Sequence, residues 1–277
     1  MKSHKIQNFK LAFFDLDGTL LNSKGIVSES SKKAINFLRD SQIHIALATG
    51  RSSFGSQVAV DYLDIDDFCI FFSGSLVINP RTKELLFEAF LSSADLQIMT
   101  KICRNSGIYQ ELYTAEDFFI EKKHPLADMH AEYMGKYPGI VDFDVLIGKE
   151  KILKSTLVVS GRAQEKAFAE MKESLSTKNF GIAPGATAPD VFFANITNSE
   201  ASRENAFKIV TQHYGVKPEE TIAFGDATAD IPFLKMSGLG IALGNAPTHV
   251  QAVADYVTLS VDEEGISAAI NALFKEN

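Results

Sequence analysis

Five short apolar runs, residues 11–14, 43–48, 68–72, 221–224 and 239–243, each stop abruptly at small or polar residues. Runs of this length without alternation suit strands covered on both faces, as in a parallel sheet. Helical patterns lie between them. Ser28 can cap a segment that places Ala34, Ile35 and Leu38 on one face. Ser199 is the expected cap of another segment, with Ala206, Ile209 and Val210 on its inner face and Gly215 and Pro218 at its end. Strand alternating with helix predicts a doubly wound, Rossmann-like α/β domain.

The middle of the chain has a different rhythm. A helix over 92–104 is followed by short strands at 108–113 and 117–121, then a helix at 126–135. A strand at 156–160, a helix at 163–175 and strands at 179–183 and 191–196 complete it. This order predicts an α+β insert over 90–189, carried by an α/β core formed from 1–89 and 190–277. Residues 180–190 contain two glycines and two prolines and read equally as a loop over a site or as a plain hairpin turn. A chain of 277 residues has room for both domains.

Composition narrows the function classes. Lys and Arg number 27 against 35 Asp and Glu, a net charge of −8 that argues against a nucleic-acid binder. The two cysteines, Cys69 and Cys103, have no CxxC spacing, so neither a disulfide framework nor a zinc site is expected. The six histidines lack metal-ligand spacing; His44 lies in a strand and is expected to pack there, and Phe118, Phe119, Phe192 and Phe193 are expected in the core. Asp15 interrupts the first apolar run, so no secretory signal or membrane span is expected, and a cytoplasmic location is the expectation.

The chemistry lies where apolar runs end. The first run stops at Asp15-Leu16-Asp17-Gly18-Thr19, two carboxylates followed by a residue free to turn and a hydroxyl. The carboxyl ends of parallel strands are where ligands of such sheets bind, and paired acids suit a hard cation such as Mg²⁺. A lone DxD is as often a solvated turn. Two further run ends shift the balance: Thr49-Gly50-Arg51 after the second, and Gly225-Asp226 with Asp230 four residues later after the fourth.

The set DLDGTLL, LATGR and GDxxxD around a large insert resembles the haloacid dehalogenase (HAD) superfamily, and most closely its Cof-type phosphatase branch. The resemblance implies a HAD-like core with an α+β cap of the C2B type, and hydrolysis of a small phosphorylated metabolite such as a sugar phosphate. It implies Asp15 as nucleophile, Asp17 as general acid and base, and Thr49 as a donor to the phosphoryl group. Asp226 would complete a Mg²⁺ site with Asp15 and the Asp17 backbone carbonyl, with Asp230 supporting the acidic loop. Thr19, Gly50, Arg51, Ser73 and Gly74 are the implied substrate contacts.

The sequence departs from the family pattern at three places. Arg203 stands where a Lys is usual, and its planar fork is not equivalent to an ammonium. A solvated helix residue is the bland alternative for Arg203, and Lys208 is a fallback cation. Ala229 replaces an Asn of the GDxxND pattern, and Ser73-Gly74 replaces Asn-Gly. Hydrolysis therefore stands beside two other readings: a phosphomutase with the same nucleophile, and a weakened site that only binds a phosphorylated ligand.

Overall fold

The computed structural model describes residues 5–184 and 190–275. The chain forms two compact units: one comprises the residues up to Gly50, Gln57–Phe87 and those from Ser202 onward, the other Arg51–Ser56 and Glu88–Ala201.

The first unit opens with Leu11–Phe14 (β1), Glu29–Asp40 (α1), His44–Leu47 (β2), Gln57–Leu63 (α2), Cys69–Phe71 (β3), Leu76–Ile78 (β4) and Leu85–Glu88 (β5). The Ser28 hydroxyl accepts from the Ser31 amide at 3.0 Å, satisfying one of the free donors at the start of α1. Ala34, Ile35 and Leu38 are buried, as their spacing predicts.

The chain then builds the second unit from Ser93–Ser106 (α3), Tyr109–Tyr113 (β6), Phe118–Ile120 (β7), Pro125–Met134 (α4), Gly139–Ile140 (β8), Phe143–Leu146 (α5), Lys154–Ser160 (β9), Gly161–Ser174 (α6), Asn179–Pro184 (β10) and Val191–Thr197 (β11). Its sheet runs β10-β11-β9-β6-β7-β8, antiparallel except for the β7–β8 pair. Leu96, Met99 and Cys103 of α3 and Phe168 and Met171 of α6 pack with Leu112, Leu157 and Ile196 of the strands in one buried core. Elsewhere on β6, Glu111 is fully buried and accepts from the Tyr109 hydroxyl at 2.6 Å, with His130 Nδ1 at 2.8 Å. The expected insert end at 189 is corrected. β11 pairs along its whole length with β9, so the unit continues through the strand to Ala201. Of the 180–190 segment, residues up to Pro184 belong to β10, and 185–189 lie outside the described residues.

The first unit resumes with Arg203–Tyr214 (α7), Thr221–Gly225 (β12), Ile231–Met236 (α8), Leu239–Ala242 (β13), Thr248–Gln251 (α9), Tyr256–Val257 (β14) and Gly265–Ile270 (α10). Ser202, not Ser199, caps α7, accepting from the Asn205 amide at 3.0 Å. Residues 198–201 are held in a turn by Ala201 N–H to Asn198 O and Glu200 N–H to Asn198 Oδ1, so the helix starts only beyond them. Gly215 ends it in the left-handed conformation, φ 62°.

The main sheet is parallel in the order β14-β13-β12-β1-β2, which makes β1 an inner strand. All four residues of β1 are buried. Phe13 packs against Phe207 and Phe233 with ring centroids 5.1 Å away in each case, and Phe14 stacks on Phe224 at 4.7 Å. The third apolar run does not simply extend this sheet. β3 touches it through the Ala48–Ile70 bridge and pairs antiparallel with β4, in a separate sheet ordered β3-β4-β5.

His44 lies in β2 as expected, as its first residue, and its ring stacks on Tyr214 with centroids 4.0 Å apart, but the side chain is 45% exposed rather than buried. Its Nδ1 lies 2.7 Å from Asp67 Oδ1, and Asp67 also accepts from the Ile45 amide at 2.7 Å and the Tyr214 hydroxyl at 2.9 Å. These donors outweigh the burial of Asp67 and hold its carboxyl below the usual carboxylate range. Its stabilisation is therefore complete above the unfolded-state value near 3.9 and is lost as pH falls through the lower folded-state value. Asp67→Asn should lower stability at pH 7 by about 1–3 kcal/mol, and the difference from wild type should vanish at the acid end of a denaturation series.

Candidate active site

Three strand ends and one helix start meet in the first unit. After β1 the Asp15 amide still donates to Phe224 O at 3.1 Å, so the acid is aligned by the sheet itself. The chain then tightens: the amides of Leu20 and Leu21 both reach Leu16 O, at 3.0 and 2.7 Å. Gly18 sits at φ 79°, and a Cβ there would lie 2.3 Å from Asp226 Oδ2. The turn and the close approach both require glycine. Thr19 is buried, and its hydroxyl donates to Asp226 Oδ1 at 3.0 Å.

Beyond β2, Thr49 is buried, its amide bonded to Ile70 O at 2.9 Å and its carbonyl accepting from Ser73 N–H at 3.0 Å. Gly50 follows, close enough that a Cβ would meet Ser73 Oγ at 3.2 Å. Phe72 and Ser73 are left-handed, φ 51° and 56°, and Gly74 has φ 107° with room for no Cβ, since Ser202 O would be 2.5 Å away. That contact seats the cap residue of α7 against the end of β3.

Arg203, the first residue of α7, is only 9% exposed. One guanidinium nitrogen donates to Ala48 O at 3.2 Å and to Asp230 Oδ1, while the other lies 3.5 Å from Asp15 Oδ1. The solvated-helix alternative is thereby overturned, and Lys208 is exposed. Asp230 spends its second oxygen on the amides of Asp226 and Ala227, at 3.0 and 2.8 Å. Ala229 is exposed.

Among the described residues, Asp15, Asp226 and Asp230 bring carboxylate oxygens within 4.8 Å of one another. Burial drives the Asp15 carboxyl well above its ordinary range, and Asp230, Asp226 and Asp17 push the same way against the pull of Arg203. Burial also raises Asp226 to about 6, opposed by the hydrogen bonds from Thr19 and Asn245. Acids held together in this way are suited to a divalent cation bound through oxygen, which removes the repulsion that raises them. Asp230 is ion-paired to the buried Arg203 guanidinium through one oxygen and holds two amides with the other, whereas Asp226 has a single donor on each oxygen, so Asp15 and Asp226 are the acids with most capacity left for a cation. Asp17 is exposed, and its carboxylate is not part of the three-acid cluster. Arg51 belongs to the second unit, where its guanidinium lies 4.1 Å over the Tyr133 ring and donates to Gly55 O at 3.2 Å.

Asn245 was not anticipated. Its Nδ2 donates to Asp226 Oδ2 at 3.0 Å and to Gly18 O at 2.9 Å. It stands two residues after the apolar run 239–243, a strand end of the same kind as those that carry the acids.

A family model described as haloacid dehalogenase-like hydrolase matches residues 12–270. The chain belongs to the haloacid dehalogenase-like hydrolases. With its α+β insert it fits the Cof-type phosphatases that its motifs resemble. Phosphatase YwpJ of Bacillus subtilis is 26% identical, with 93% of this chain and 97% of that protein covered. The 5-amino-6-(5-phospho-D-ribitylamino)uracil phosphatase YcsE of the same organism is 25% identical, with 95% of each covered. A solved structure of a haloacid dehalogenase-like hydrolase from Bacteroides thetaiotaomicron superposes with a TM-score of 0.86 at 25% identity, covering 96% of this chain and 100% of that one. No helix among the described residues is long and apolar enough to cross a membrane.

A cation that needs Asp226 ionised must displace its proton below pH 6. Divalent-cation affinity, measured by titration calorimetry, should therefore fall by at least about tenfold per pH unit below that value and level off well above it.

Proposed function

We propose that this phosphatase hydrolyses small phosphate monoesters, sugar phosphates or similar metabolites, with Mg²⁺ and through a phosphoryl group carried on Asp15. The observation that carries the reading is the buried Asp15 carboxylate, flanked by the Arg203 guanidinium and adjoining Asp226 and Asp230. Asp15 and Asp226 would hold the cation, and when bound it neutralises charge on the phosphoryl oxygens.

In the first step an Asp15 oxygen attacks phosphorus and the ester oxygen departs, taking a proton from Asp17. In the second, water attacks the aspartyl phosphate, Asp17 accepts its proton, and orthophosphate leaves as the Asp15 carboxylate is restored. Dividing the displacement in this way suits a carboxylate nucleophile. The exposure of Asp17 keeps it in proton exchange with solvent, as a group that gives and then takes a proton must be. The Thr49 hydroxyl and the backbone of Gly50 and Gly74, at neighbouring strand ends, would supply donors for the phosphoryl oxygens, while the Thr19 hydroxyl and the Ser73 amide are given to Asp226 and to Thr49 O and would act by holding those loops. The ribityl phosphate named for YcsE, a relative over nearly its whole length, favours a phosphorylated polyol or sugar as the substrate class.

Arg203 also weighs against a decayed site. A guanidinium buried across Asp15 and Asp230 keeps the positive charge that the family places there, and with a geometry that a single ammonium cannot copy.

Asp15→Asn should reduce phosphate release by at least about 10⁴-fold, because an amide cannot attack phosphorus. Its thermal stability without metal should equal or exceed wild type, since an acid raised by burial and like charge is relieved by neutralisation. Wild-type phosphate release from that variant would put the nucleophile elsewhere. Arg203→Ala should cost about 2.7–4 kcal/mol of transition-state stabilisation, read as a 10²–10³-fold fall in kcat. Arg203→Lys keeps the charge and serves as the folding control; an unchanged rate in Arg203→Ala would remove Arg203 from the site.

A further inference from the structure

We infer that Asn245 is a positioning residue for cation binding, doing from the end of β13 the orienting work that Ala229 cannot do from the acidic loop. The inference rests on the metal-dependent reading above. The side chain has both ends committed. Its Oδ1 accepts from the Val261 amide at 2.9 Å, which fixes the amide orientation, because an acceptor must face that N–H. Nδ2 is then obliged to face the acids, where it bonds Asp226 Oδ2 at 3.0 Å and Gly18 O at 2.9 Å.

Three segments are joined at this one side chain. Gly18 lies in the turn that follows Asp15 and Asp17. Asp226 opens the acidic loop after β12. Val261 lies in the 260–264 stretch, which in turn grips residues 23–28: Asp262 accepts from the Ser23 amide and hydroxyl at 3.0 and 2.9 Å, and Glu264 accepts from the Ser28 hydroxyl at 2.5 Å. With Thr19 on Oδ1 and Asn245 on Oδ2, each oxygen of Asp226 has one donor, and each retains lone-pair capacity for a cation. The carboxylate plane is therefore set before a cation arrives. Hydrogen bonds of this kind, one step removed from the metal, typically account for 10–100-fold in metal affinity when lost.

The bonds of Asn245 are exposed, so their loss is filled by water rather than leaving a buried group unpaired. That separates positioning from folding. In the full-length protein, Asn245→Ala should raise the Mg²⁺ dissociation constant by about tenfold by titration calorimetry. It should leave the metal-free melting temperature within a few degrees of wild type, and the KM for a generic phosphate ester at saturating Mg²⁺ unchanged. Asn245→Ala combined with Ala229→Asn should recover part of the Mg²⁺ affinity if orientation of the acidic loop is the quantity lost. A lowered metal-free melting temperature with unchanged Mg²⁺ affinity would make Asn245 a structural tie and overturn the inference. Mg²⁺ binding absent from the wild type as well would overturn it together with the metal reading beneath it; binding by wild type that is unaltered in the variant would overturn the inference alone.

Discussion

The ion-paired guanidinium of Arg203 is the interaction on which the acidic site depends. Three carboxylates come together at the ends of β1 and β12, and Asp15 and Asp230 are nearly withdrawn from water. Bringing like charges together in a buried place is unfavourable, and the raised carboxyl of Asp15 records it. Arg203 offsets part of this by giving one arm to Asp230 and Ala48 O and the other to Asp15. It can do so because α7 begins there. Ser202 caps the helix and packs its backbone against Gly74, and the next side chain is delivered directly beneath the strand ends.

The same economy of placement explains why the site is made of loops that cannot slip. A parallel sheet puts all its carboxyl ends on one edge, so residues far apart in sequence meet without any long connection crossing the site. The remaining precision comes from close approaches that leave no room for a Cβ and from backbone states that ordinary residues avoid. Gly18 allows Asp226 to press against the first turn, and Gly225 allows Asp230 to fold back so that its oxygen can bind two amides. Phe72 and Ser73 hold left-handed conformations that cost each of them on the order of 1 kcal/mol, and the contacts of Phe72 in the core and of Ser73 N–H with Thr49 O maintain them.

How much of this could be read from the sequence follows from the range of the forces involved. The buried strands of the main sheet were legible because covering both faces leaves an unbroken apolar run, and α1 because its cap and its spacing agree. The acids were legible because a carboxylate just beyond an apolar run is conspicuous. The antiparallel hairpin from β4 to β5 was not anticipated, although Asn79 Oδ1 accepts from Arg81 and Thr82 amides in a turn that Asn79-Pro80-Arg81-Thr82 signals locally. The start of α7 was misplaced by three residues because Ser199 and Ser202 are equally good caps locally, and only the turn at 198–201 decides between them. Arg51 stood next to a motif yet is engaged with Tyr133 of the second unit, a pairing that only tertiary structure creates.

The departures from the family pattern are best understood as one redistribution rather than separate losses. Arg203 keeps the charge while adding a second arm, so Asp230 is held from the helix side as well as by its own loop amides. With Asp230 held from both sides, the acidic loop has less need of an amide at position 229, and the Asp226 carboxylate takes its remaining donor from Asn245 on another strand end. Support that the pattern would draw from inside one loop is here drawn from α7 and from the end of β13. The acids themselves are unchanged by this shift, and a fixed cation against Asp230 with oriented donors on Asp226 leaves Asp15 as the acid least committed to protein partners. That suits the nucleophilic role proposed for it, since each hydrogen bond that stabilises the charged carboxylate lowers its tendency to attack.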